Sequence, residues 1–165
     1  MGVSARFALP FLAAGQAQKE LVHNEALQIL DLLVAAAVEE APRSAPPASP
    51  QVGATYIVAS GATGAWAGQD LSLAGFTDGG WRFVLPREGT LAYVVSASVW
   101  AVFRGGAWEV GSLRGDNVVI GGEQVVGPQG AAIPAPSGGT TVDAEARAAI
   151  GQILSAMRGH GLIGG

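Results

Sequence analysis

The sequence contains no cysteine, which excludes a disulfide framework, a thiolate nucleophile and any cysteine-based metal site. Charge is scarce as well: 13% of the 165 residues are charged, against ~25% in an ordinary domain, and Lys19 is the only lysine. The other basic residues are arginines spread singly along the chain, so the clustered footprint of a nucleic-acid-binding surface is missing. No apolar run reaches the ~20 residues that span a bilayer, because Asp31 interrupts the best stretch, Ile29 to Val38. The opening MGVSARFALPFLAAGQAQ imitates a signal peptide, but its apolar run is short and carries Pro10. A nucleophile elbow, a P-loop, a dinucleotide fingerprint and a metalloprotease helix are all missing. With only two isolated histidines, His23 and His160, no metal site, cofactor or catalytic residue is expected.

Glycine, at 25 residues, is about twice as frequent as usual, and it punctuates a chain whose net charge is only −4. Such a surface carries little charge to keep copies apart. The length suits one domain with extensions. Residues 1–16 read as an extended N-terminal arm. Residues 17–50 read as an amphipathic helix, running to about Glu40, followed by the proline-rich linker APRSAPPASP. Residues 51–126 hold short runs rich in β-branched and aromatic side chains, including VGATYIVA, WRFVL, LAYVV, SVWAVF and AWEVGSL. Asp78-Gly79-Gly80, Gly105-Gly106 and Gly121-Gly122 supply tight turns between them. Residues 127–142 form a second Pro/Gly-rich linker, and residues 143–165 a short helix with Asp143 as N-cap and Ala146, Ile150, Ile153 and Met157 on its apolar face. The expected class is α+β, mainly β: an N-terminal amphipathic helix, a compact antiparallel β-sandwich or barrel, and a short C-terminal helix.

The head of the first helix, GQAQKELVHNEALQILDLLV, sets His23, Asn24 and Glu25 side by side. Successive helical residues are rotated by ~100°, so these three diverge and cannot form one reactive site. Around Leu30 the residues Leu27, Val34 and Ala37 fall on one apolar stripe, with His23 and Lys19 on the same line. That stripe is either core or a seam where copies meet, with polar positions setting register. As a seam it comprises His23, Leu27, Leu30, Val34 and Ala37.

The four tryptophans, Trp66, Trp81, Trp100 and Trp108, all lie in the β-region, where packing is the ordinary use of an indole. Stacking on a sugar ring is the functional alternative. Trp66 is its leading candidate, because Gly64, Ala65, Ala67 and Gly68 are too small to cover it, and Trp81 is the second. Paired carboxylates among Asp70, Asp78, Glu88, Glu109 and Asp116 could in principle cleave glycosidic bonds, but sequence does not show which of them approach each other.

The segments LPFLAAGQAQKELVHNEALQILD, VGATYIVASGATGAWAGQDLSLAGFTDGGWRFVLPREG and DAEARAAIGQILSAMRGHGLI together cover nearly the whole chain. They resemble a domain family of spike and tail-fibre proteins in alphaproteobacterial phages, prophages and gene transfer agents, including head-spike components of the latter. The resemblance rests on Pro10, Gln16, Lys19, His23, Asn24, Glu25 and Leu30, and on Gly53, Tyr56, Gly64, Trp66, Gly68, Gly79, Trp81, Pro86, Gly89 and Trp108. It implies a non-enzymatic virion protein on the surface of a phage-like particle, assembled in the bacterial cytoplasm. Such a subunit would form a homo-oligomer, trimer or pentamer, contact capsid or other spike and fibre proteins, and support attachment to capsular polysaccharide. No nucleic acid and no membrane insertion are expected. The alternatives are a stand-alone carbohydrate-binding module and a polysaccharide depolymerase.

Overall fold

The computed structural model describes residues 2–12, 19–40 and 42–164. The chain divides into two compact units, Met1–Leu113 and Arg114–Gly165. The fold is α+β and mainly β. In the first unit, α1 spans Lys19–Leu33 and is followed by seven strands: β1 Ala37–Val38, β2 Thr55–Ile57, β3 Leu73–Thr77, β4 Gly80–Val84, β5 Leu91–Val94, β6 Val99–Arg104 and β7 Ala107–Val110. They form two sheets, β2-β3-β4 and β1-β5-β6-β7. All pairs are antiparallel except β1 with β5, which run parallel. In the second unit, strands β8 Val118–Ile120 and β9 Glu123–Val126 make an isolated hairpin, and α2 spans Ala144–Gly159.

Alternation along the strands sorts the side chains of the three-stranded sheet onto two faces. Ile57 and Leu73 join Leu32, Val38, Ala92, Val94 and Ala101 in a core shared by α1 and both sheets. Burying a leucine, isoleucine or valine in this way stabilises by about 1.5–3 kcal/mol per side chain. On the other face, Tyr56 and Ala74 join Ala54, Val58 and Trp66 in a second core. The Trp108 indole on β7 donates to the Leu71 carbonyl at 2.8 Å, which ties β7 to the chain leading into β3.

Helix α1 lies so close to the three-stranded sheet that a Cβ on Gly75 would sit 2.7 Å from Leu32 Cδ1. Gly75→Ala should therefore overpack this contact and cost about 1–3 kcal/mol. The shift in urea midpoint measures it, and an unchanged midpoint would show that Leu32 can swing aside.

Three sequence expectations are corrected. The helix does not run to Glu40; its expected beginning at residue 17 lies outside the described residues, and it ends at Leu33. Ala35 adopts φ +45°, and the chain turns so that Ala36 and Val38 enter the core. The Ala/Val-rich run from Val34 to Val38 suits helix or strand, and tertiary burial decided for strand. Hydrogen bonds from Tyr93 N to Ala36 O (2.8 Å), Glu39 N to Thr55 O (2.9 Å), Ser96 N to Glu39 O (3.1 Å) and Arg43 N to Ile57 O (3.1 Å) then stitch this stretch to both sheets.

Over its described residues, 2–12, the N-terminal arm is not extended. Val3 and Pro10 form an antiparallel bridge, and the enclosed loop folds back onto the end of α1. The β-region does not form a single body from 51 to 126 either. The first unit already includes β1 and closes at Leu113, while β8 and β9 belong to the second. The turns fall where glycine placed them: Gly105, Gly106, Gly121 and Gly122 all have positive φ, as type I′ hairpins require. Asp143 caps α2 by accepting from Ala146 N at 2.8 Å.

Candidate functional site

The three polar residues at the head of α1 serve three different ends. Asn24 pins the N-terminal segment, accepting from Leu12 N at 2.8 Å and donating to Leu12 O at 3.2 Å. Glu25 pairs with Arg82 of β4 at 2.8 Å. His23 points to solvent. They do not converge.

The inward side of α1 carries Leu32, buried in the core, and Asp31, which is 4% exposed. Asp31 accepts from the Ser4 hydroxyl (2.7 Å), Arg6 N (2.7 Å) and Phe7 N (2.6 Å). The Arg6 guanidinium in turn donates to the carbonyls of Asp31 (2.8 Å) and Ala35 (2.9 Å) at the C-terminus of α1. A cation placed on these otherwise orphaned carbonyls caps the helix. The arm and the helix end thus lock each other. Sequence reasoning missed this arrangement, and no local signal connects Arg6 with Asp31.

The outward side is the stripe expected around Leu30, and it remains in contact with solvent. Leu30 is 49% exposed, Val34 53% and Leu33 37%, with exposed Val22, His23 and Ala26 on the same arc and Leu27 partly covered. The stripe is therefore not core. Ala37 leaves it, because it lies in β1 opposite Tyr93 rather than on the helix. Among the named seam residues, His23, Leu27, Leu30 and Val34 share the helical face.

The aromatic candidates change places. Trp66 is fully buried (0% exposed), so its indole cannot stack on a sugar. Its small neighbours do leave it uncovered locally, but Tyr56 and Trp81 close over it with ring centroids at 5.6 and 5.1 Å. Trp81 is half-buried and is the outer layer of this cluster, with Phe76 at 5.0 Å. Burial pushes the Tyr56 hydroxyl to a raised pKa; Glu39 adds to the rise and Arg43 opposes it. At the rim of the same loop the Asp70 carboxyl is held below its ordinary pKa by backbone N–H groups of Gly61 and Ala62, both at 3.0 Å.

The most exposed indole described is Trp100, 48% accessible on the outer face of the four-stranded sheet. It packs edge-on against Tyr93 at 5.3 Å, beside an open groove that includes Ser98, Ser112 and Leu113. Strand alternation held the signal: in VWAVF, buried Ala101 faces the core, which turns Trp100 outward. Among the described residues, no group of histidine and carboxylate side chains gathers to hold a metal ion, and no helix is long and apolar enough to cross a membrane.

None of the curated proteins compared with this sequence matches it. A family profile does match, over residues 23–109: more than half of the chain, from the outward face of α1 through both sheets to β7. On that match the chain belongs to the DUF2793 family, described as proteins of unknown function.

Proposed function

We propose that the chain is a structural subunit of a spike or fibre base on a phage-like particle, assembled as a homo-oligomer and supporting attachment to capsular polysaccharide. The outward face of α1 is the observation that carries it: Leu30, Leu33 and Val34 form an apolar strip that stays exposed among the described residues of the first unit. Contiguous apolar patches of this kind mark interaction sites. A second copy is the favoured partner, because most soluble oligomers are symmetric homo-oligomers and a chain with 13% charged residues offers little mutual repulsion. The particle role comes from the sequence resemblance, and no catalytic constellation is needed for it.

In Leu30→Asp the substitution sits on a face that does not support the core, so the β-sheet circular dichroism should persist while native mass spectrometry shows dissociation to monomers. Retained copy number would remove α1 from the interface. Antibody detection of the chain in purified particles tests the location, and its absence from them would sink the virion role.

A second reading, a stand-alone carbohydrate-binding module, is favoured by exposed Trp100 beside Tyr93. A free module would be monomeric, and its binding to purified capsule in surface plasmon resonance would survive Leu30→Asp unchanged. An oligomeric adhesin would lose avidity by ~10²-fold or more on dissociation.

A further inference from the structure

We infer that the unit Arg114–Gly165 is a second assembly element, and that its hydrophobic core is completed by the same unit of another copy. On its own it has almost no core. Leu154 and Ile163 are its only buried apolar side chains among the described residues. Every residue of β8 and β9 is exposed, including Val118, Val119, Ile120, Val125 and Val126. Ile150 and Ile153 of α2 are exposed too. A lone two-stranded hairpin is at best marginally stable in water, and below about 70–80 residues a single core supplies little stability, so such units commonly add disulfides, a metal or oligomerisation. The chain has no cysteine and no metal-holding group gathers among the described residues, so oligomerisation is the device the inference assigns to this unit.

The edges of the hairpin point the same way. Among the described residues neither outer edge pairs with another strand, so each offers unpaired N–H and C=O groups to a neighbour. The usual guards of a free edge are lysine, proline or an inward-pointing charge, and β8 and β9 carry none but Glu123 beside the turn. Three arginines (Arg114, Arg147 and Arg158) face four acids (Asp116, Glu123, Asp143 and Glu145) in this unit, so two copies approach with little net repulsion.

This inference shares self-association with the proposed function but does not depend on the outward face of α1 or on a particle.

The test is hydrogen exchange on the full chain, read by mass spectrometry at concentrations where native mass shows oligomer and where it shows monomer. Amides of 118–126 and 144–159 should exchange at least tenfold faster in the monomer, while those of 55–104 stay as they were. Equal protection in both states would overturn the inference, as would no protection in either, which would assign the unit to a different partner. Where dilution yields no monomer, Val119→Lys with Val125→Lys decides. Faster exchange across 118–126 supports the shared core, and unchanged exchange and copy number refutes it. Leu30→Asp in parallel separates the two surfaces, since it tests α1 alone.

Discussion

Trp66→Ala is expected to destabilise the first unit by about 3–5 kcal/mol, the usual effect of emptying a buried aromatic site. The indole is fully buried and packs against Tyr56 and Trp81, so its removal leaves a void that both rings can fill only partly. Chemical denaturation measures the loss. A change below about 1 kcal/mol, with polysaccharide binding lost instead, would restore Trp66 as a sugar platform. The indole N–H meets no acceptor among the described residues, and leaving a buried donor unpaired is costly. Trp66→Phe removes that donor with the smaller change in volume and should recover much of the loss.

Asp31→Asn should cost about 2–4 kcal/mol, although it preserves size and shape. Three donors converge on the carboxylate: the Ser4 hydroxyl and the backbone N–H groups of Arg6 and Phe7. An amide has one acceptor oxygen, and its NH₂ would face one of those donors head-on. The effect should be local first, with the Arg6 and Phe7 amides losing exchange protection before the sheets do. Arg6→Ala is the control. It strips the cap from the Asp31 and Ala35 carbonyls but keeps the backbone donors on Asp31, so its effect should be smaller, about 1–2 kcal/mol. Equal losses in the two variants would mean that the guanidinium, not the carboxylate, holds the arm.

Much of the fold was legible where chemistry is local. Paired glycines at 105–106 and 121–122 marked their hairpins because only positive φ makes those turns, and Asp143 announced α2 because its carboxylate reaches an N–H three residues on. The stripe around Leu30 was legible as apolar, but periodicity alone could not say whether core or solvent received it. What failed depended on distant partners. Trp66 looked exposed because its sequence neighbours are small, whereas Trp81 and Tyr56 cover it from other strands. The helix looked longer because Val34 to Val38 is locally ambiguous, and only the core and the Arg6 cap reveal where it stops. Trp100 was passed over although alternation with Ala101 turns it outward.

The stitching around β1 gives the first unit a mechanical character. If α1 is gripped by a neighbouring copy, a pull on it enters the body through the short stretch that follows. There Ala36, Glu39 and Arg43 bond to Tyr93, Thr55, Ser96 and Ile57, on both sheets. Because β1 runs parallel to β5, tension along it loads the β1–β5 hydrogen bonds in shear, so they rupture together instead of peeling one by one. The two sheets would then behave as a clamp: a load applied through α1 would have to break these bonds together before the helix tore from the body.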